Sequence, residues 1–280
     1  MLTDSKVALL FVEVASLSRA RTFYEDVLGL TVIENQFNPP HHRHGIVKYD
    51  AGDTILALNL ADASFDTAAE EPIVTGFSGG PRREAEIYAE LQIRGFAAPY
   101  TVGGEFRDAD GHRFRIQPVQ DYALWHGPDA LGVEEIGLAV ENIRDCRAFY
   151  EDVLGLMPLR TVEGATEFAT GNVRIRLFER QSADSPRRNS YLPVFYTADI
   201  RHDADLLERR GVEFPQPVRF SEIGGAVRFR DPVGNQFCLY QPSEVSLTWD
   251  SGPKLREIMS GQVPVSARAR ITGLLSRWVV

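Results

Sequence analysis

Phe23-Tyr24-Glu25-Asp26-Val27-Leu28-Gly29-Leu30 recurs without a change as Phe149-Tyr150-Glu151-Asp152-Val153-Leu154-Gly155-Leu156. Identity over so long a run marks a tandem duplication. Ala20, Phe23, Val27 and Leu28 make one apolar stripe on a 3.6-residue helix, and Gly29 stands where a C-terminal cap belongs. Cys146, Phe149, Val153 and Leu154 repeat the stripe, with Gly155 as the cap. A second echo sets Asp110-Gly111-His112-Arg113-Phe114 against Gly234-Asn235-Gln236-Phe237, which closes Asp231-Pro232-Val233-Gly234. Gly111 and Gly234 stand at nearly the same offset as the helices.

Outward from these anchors, each half divides again into two units of strand, helix and three strands. The first unit reads as strand Val7 to Val14, helix Leu17 to Leu28, and strands Leu30 to Gln36, Ile46 to Asp50 and Thr54 to Leu60. The second has Ile73 to Phe77, a helix from Arg83 to Arg94 capped by Gly95, then Pro99 to Val102, Gly104 to Arg107 and Arg113 to Val119. The third runs Val133 to Val140, helix Ile143 to Leu154, Met157 to Val162, Ala165 to Ala169 and Val173 to Phe178. The last has Tyr191 to Thr197, helix Ile200 to Arg210 capped by Gly211, Val218 to Ser221, Ala226 to Arg230 and Gln236 to Tyr240. The expected domains are 1–120 and 132–242, joined by a linker at 121–131 that carries Gly127-Pro128. A tail follows at 243–280; its weakly amphipathic stretch from Arg268 to Val280 suggests a docking helix, and a lid or a homodimer contact is open to it.

The chain has 280 residues, 44% hydrophobic and 25% charged, which suits two globular cores. No apolar run approaches the roughly 18 residues that would span a bilayer. The N-terminus shows no basic stretch followed by an apolar core, so secretion is not expected. Cys146 and Cys238 are the only cysteines, which excludes a disulfide framework and a Cys-rich zinc site. A net charge of −9 without a Lys/Arg block disfavours nucleic acid and anionic membranes as partners. A cytoplasmic protein acting on a small molecule is the starting expectation.

Four strand–helix–three-strand units, with Phe-Tyr-x-x-Val-Leu-Gly-Leu in the opening helix of each half and Asp-Pro-x-Gly-Asn-x-Phe near the end, resemble the vicinal oxygen chelate (VOC) superfamily. That family includes glyoxalase I, the fosfomycin and bleomycin resistance proteins and type I extradiol dioxygenases. The resemblance covers residues 7 to about 242 and implies an α+β fold: four βαβββ units building two half-barrel domains. It does not fix function, because the fold hosts isomerases, transferases, dioxygenases and drug-binding proteins.

The resemblance also implies where a metal would sit, on the first and last strands of each unit. Carried over position by position, the first half offers Leu9 and Arg115. The second half offers Glu135 and Cys238, and the final unit places Leu192 where another His would fall. A ferrous extradiol site needs two imidazoles and a carboxylate. These side chains do not supply them, so the conventional site is expected to be absent and no cofactor is expected, while a divalent metal on unconventional ligands stays open.

Alternation along the strands assigns what lines the cavity that the fold implies. Ile136, Leu138 and Val140 belong under a helix, leaving Glu135, Gly137 and Ala139 inward. Val173, Ile175 and Leu177 are core, leaving Arg174, Arg176 and Phe178 inward, with Glu135 expected to pair with Arg174 or Arg176. Gln236, Cys238 and Tyr240, with Leu192, Val194 and Tyr196, complete a wall of mixed polarity. In the first half, Leu9, Phe11, Ile55 and Ala57 make an apolar interior whose polar members are Glu13, Asn59 and Arg115. His41, His42 and His44 form the one histidine cluster; a solvated loop is favoured over a metal site there. His112 reads as a structural turn residue and Cys238 as an inert wall. Two functions compete. The first is a small organic molecule held by Glu135, Arg174, Arg176, Phe178, Tyr196, Gln236, Cys238 and Tyr240. The alternative is an enzyme, dioxygenase-like or lyase-like, with unconventional ligands or with Glu135 or Tyr196 moving a proton.

Overall fold

The computed structural model describes residues 2, 5–36, 45–61, 69, 71–99, 103–118, 131–162, 164–180 and 189–261. The strands are β1 (Val7–Val14), β2 (Thr31–Gln36), β3 (Ile46–Asp50), β4 (Ile55–Leu60), β5 (Ile73–Gly79), β6 (Glu105–Arg107), β7 (Arg113–Pro118) and β8 (Gly132–Val140). They continue as β9 (Met157–Val162), β10 (Ala165–Ala169), β11 (Arg174–Glu179), β12 (Tyr191–Tyr196), β13 (Arg219–Ser221), β14 (Gly224–Arg230) and β15 (Gln236–Pro242). The helices are α1 (Leu17–Arg21, running on through Thr22–Val27), α2 (Pro81–Ile93), α3 (Ile143–Ala148, running on through Phe149–Val153), α4 (Ile200–Arg209), α5 (Glu244–Leu247) and α6 (Gly252–Ser260). All four strand–helix–strand units are thus present, and the fold is the α+β one expected. Pro99 is not in a strand, and the rest of the strand expected there lies outside the described residues.

Hydrogen-bonded neighbours give two sheets, one of eight strands in the order β13-β14-β15-β12-β1-β4-β3-β2 and one of seven, β6-β7-β5-β8-β11-β10-β9. The described residues fall into two compact units. One lies within Leu10–Gly137 and Asp184–Tyr191, the other within Met1–Leu9, Leu138–Ala183 and Leu192–Val280. Except for Leu131, the linker expected at 121–131 lies outside the described residues, as do His41, His42, His44 and the stretch from Arg268 to Val280.

The duplicated helix explains itself in each unit. Ser16 and Asn142 cap α1 and α3, accepting from Arg19 N and Arg144 N. Both helices then widen to a π turn, with Leu28 N bonding to Phe23 O and Leu154 N to Phe149 O, each at 2.9 Å. The next residues, Gly29 and Gly155, take φ of 61° and 70°. The positive φ is what favours glycine at position 29; a Cβ there would also have to push aside the Arg83 guanidinium, which donates to Leu28 O at 2.6 Å.

The tyrosine of the repeated motif locks each helix to its glycine turn. Tyr150 donates to Asp231 Oδ2 at 2.6 Å, and the same carboxylate receives the backbone N–H groups of Asn235 and Val233 and the Asn235 side chain. Tyr24 reaches Asp108 at 3.4 Å, where His112 stands in for the asparagine with its Nδ1 2.7 Å from Asp108. His112 is therefore a turn residue, as read from sequence. Burial drives both tyrosine hydroxyls well above their ordinary range and raises Asp231.

Tyr24 stacks on Tyr49 and Tyr150 on Phe168, fixing the helix-packed faces of β3 and β10. The alternation reading holds for the core: Ile136, Leu138, Val140, Val173, Ile175, Leu177, Phe237 and Leu239 are all fully buried. In the tail, α5 and α6 were not anticipated. Buried Lys6 donates to Ile258 O at 2.5 Å, a cation at the C-terminal end of α6, where the helix dipole favours it.

Candidate functional site

In the unit that holds Leu10–Gly137, β5 runs between β7 and β8. Gly76 on β5 lies in register with Arg115 on β7, and Ser78 with Gln117. Phe77 and Phe114 stack on the opposite face, so Gly76, Ser78, Arg115 and Gln117 share the face turned away from the helices. Glu135 on β8 comes to the same place. Arg115 Nη2 donates to Glu135 Oε1, with the carboxylate side chain 1% exposed and the arginine 16%. Strands in a sheet lie roughly 4.8 Å apart, so these two side chains must span an intervening strand. They meet because the position between them carries no side chain: a Cβ on Gly76 would stand 2.9 Å from Glu135 Cβ and 3.1 Å from Gln117 Nε2. Beside them the Ser78 hydroxyl is fully buried and finds no hydrogen-bond partner among the described residues.

The equivalent strands of the other unit are β15, β12 and β1. Cys238 is in register with Val194, and Leu9 stands on the next strand. All three are buried and none is charged. Burial pushes the Cys238 thiol up to about 11, and it donates to Leu239 O at 3.1 Å, so it is a protonated wall group rather than a nucleophile. Arg228 lies opposite Cys238 and is exposed, as is Arg230 opposite Gln236. Tyr196 pairs with Tyr240, whose hydroxyl is committed to Ile223 O at 2.7 Å. Leu192 is half-buried.

The eight residues grouped from sequence therefore divide between two sheets. Glu135, Arg174, Arg176 and Phe178 lie on strands of the seven-stranded sheet, and Tyr196, Gln236, Cys238 and Tyr240 on strands of the eight-stranded one. Sequence reasoning passed over Gly76, Ser78 and Gln117 and set Arg115 apart from Glu135. The one available signal was the matching offset of Arg115 and Cys238 behind Gly111 and Gly234.

Residues 132–239 match the model of the Glyoxalase/Bleomycin resistance protein/Dioxygenase superfamily. That stretch, less than half of the chain, is similar to the superfamily. An uncharacterized protein of Bacillus subtilis, YqjC, is 45% identical over 60 residues, which take in 19% of this chain and 43% of that protein; the match spans less than half of this curated relative. Among solved structures, a Bacillus subtilis protein assigned provisionally to the dioxygenases superposes with a TM-score of 0.66 over 96% of this chain and 95% of that one, at 16% identity. Glyoxalase I of Zea mays gives 0.65 over 91% and 95%, again at 16%. Such likenesses are of fold. No helix among the described residues is long and apolar enough to cross a membrane.

The metal that the VOC family implies can be tested against the donors present. A guanidinium has no lone pair to give and stays protonated, so Arg115 cannot be a ligand, and its charge beside Glu135 repels a cation. The other triple offers a thiol held neutral by burial and two aliphatic side chains. Neither set fits a divalent ion. Among the described residues no three His, Cys, Asp or Glu side chains gather in a way that would hold one.

Proposed function

We propose that the protein is a small-molecule-binding member of the VOC superfamily that works without the family's metal. The Arg115–Glu135 pair laid across Gly76 is the observation that supports this most strongly, because it puts a fixed cation where the family places a ligand. Buried polar groups that exceed their protein partners are what a polar ligand would satisfy. Here that group is the Ser78 hydroxyl, buried beside the Arg115–Glu135 pair and without a hydrogen-bond partner among the described residues. The two free, buried cysteines accord with a cytosolic setting.

The enzymatic alternative draws less support. Glu135, its sequence candidate for proton transfer, has an oxygen engaged by Arg115, and an engaged carboxylate is a poor general base. Glu135→Gln separates the two readings. It is expected to change the affinity of whatever compound the wild type is found to bind, by about tenfold, without any turnover being lost. Turnover of a bound compound by the wild type that disappears in Glu135→Gln, with affinity unchanged, would replace the binding reading with a catalytic one.

A further inference from the structure

The hairpin β14–β15 of the last repeat has a counterpart in β6–β7 of the second, and the two differ in charge. Glu105-Phe106-Arg107-Asp108 recurs as Arg228-Phe229-Arg230-Asp231, and Arg113-Phe114-Arg115 as Gln236-Phe237-Cys238. The registers agree: Phe106 faces Phe114 as Phe229 faces Phe237, and Arg107 faces Arg113 as Arg230 faces Gln236. In the second repeat the cations are matched. Glu105 Oε2 accepts from Arg113 Nε at 2.9 Å and from its Nη2 at 2.7 Å, and Arg107 donates to Gly111 O at 3.1 Å. In the last repeat the position of that carboxylate holds Arg228, and the position of its partner holds Gln236.

Arg219 on β13 joins them. It stands opposite Ala226, two residues along β14 from Arg228, so Arg219, Arg228 and Arg230 share one face of the sheet. The other face is the helix-packed one, where Phe229 stacks on Phe237 and Arg201 of α4 lies 4.7 Å over the ring of Phe220. All three arginines are exposed. Among the described residues none of their side chains has a hydrogen bond or an ion pair, and the residues that share their face on β12–β15 include no Asp or Glu. Half-buried Gln236, opposite Arg230, has a side-chain amide likewise committed to no described residue. Same-face neighbours along a strand stand roughly 7 Å apart, so Arg228 and Arg230 repel each other, and an anion held between them replaces that repulsion by attraction. Guanidinium forks fit phosphate oxygens. A phosphate monoester, whose charge approaches about −2 at neutral pH, matches a cluster of cations better than a single carboxylate does.

We infer that Arg219, Arg228 and Arg230, with Gln236 beside them, bind the phosphate group of a small molecule. This site goes beyond the function proposed above. It lies on β13, β14 and β15 of the other unit and makes no use of the Arg115–Glu135 pair, so its failure would leave that reading as it stands.

The test is calorimetric titration of the full chain at low salt with phenyl phosphate, inorganic phosphate and benzoate. Both phosphates are expected to bind at least about tenfold more tightly than benzoate and to weaken steeply with added salt. Tighter binding of phenyl phosphate than of inorganic phosphate would identify an ester as the ligand, and equal affinities the free ion. Arg228→Gln and Arg230→Gln should each lose about tenfold in phosphate affinity, and the two together all measurable binding. Arg228→Lys should lose less, and Arg201→Gln, on the helix-packed face, nothing. Melting curves of the variants show whether they are folded, and Arg228→Lys keeps the test alive if a Gln variant is not. Benzoate binding as tight as that of phosphate, phosphate affinity that survives the double substitution, or no phosphate binding up to about 50 mM would each overturn the site.

Discussion

Arg115, Gly76 and Glu135 occupy three strand positions in one unit, and Cys238, Val194 and Leu9 occupy the corresponding three in the other. The flanking architecture is the same in both: a duplicated helix ending in a π turn, a tyrosine bonded to a turn aspartate, and a parallel pair of strands beside a third. The difference is confined to the lining. One triple is a charged pair bridging a glycine; the other is a thiol and two aliphatic side chains, packed as core. Duplication supplied two copies of a scaffold, and the sheet face away from the helices was free to diverge. On the proposed reading it is the polar copy, not the apolar one, that takes the ligand.

The largest expected effect breaks the polar triple directly. Arg115→Met strips the buried Glu135 of the partner that reaches over Gly76 and should cost about 3 kcal/mol in urea unfolding. The double substitution Arg115→Met/Glu135→Met should come back to within about 1 kcal/mol of wild type. Equal losses in the single and double variants would mean that the pair is not a coupled unit. Next, Gly76→Ala should cost about 2 kcal/mol by forcing a methyl against Glu135 Cβ, whereas Cys238→Val in the apolar triple should stay under about 1.5 kcal/mol. A tolerated Gly76→Ala would deny that the crossing needs a bare position. The smallest effect concerns Cys238. Its thiol is raised from 9.0 to about 11 by burial, so the folded state holds its proton longer than the unfolded one. Its contribution to stability is full below pH about 9 and is lost as pH rises through 11. Alkylation of the native protein at pH 8 should accordingly be slow at Cys238; fast labelling there would contradict the buried, neutral wall.

Much of this was legible in the sequence. Identity between residues 23–30 and 149–156 gave the duplication, and period-two alternation gave the core faces of β8, β11 and β15. Glycine placement gave the helix caps. What could not be read is whatever depends on strands far apart in the chain becoming neighbours. The order β7-β5-β8 brings Arg115 to Glu135, and no local pattern states that order. Gly76 carries no signal within the strand Ile73 to Phe77, because its meaning lies in the side chains on either side of it. Tyr24 and Tyr150 were read only as parts of a helix, since their partners sit in turns more than eighty residues on. The short helices α5 and α6 follow a polar, weakly periodic stretch, and their placement depends on contacts such as the one from Lys6.

The most direct test is elemental mass spectrometry of the untagged protein, as isolated and after incubation with ferrous, manganese, nickel and zinc ions. The account predicts well under one metal per chain in every case, with Arg115→Gln no better than wild type at acquiring one. One tightly held metal per chain would contradict it, and loss of that metal in Glu135→Gln would show that the carboxylate serves as a ligand rather than as the partner of Arg115.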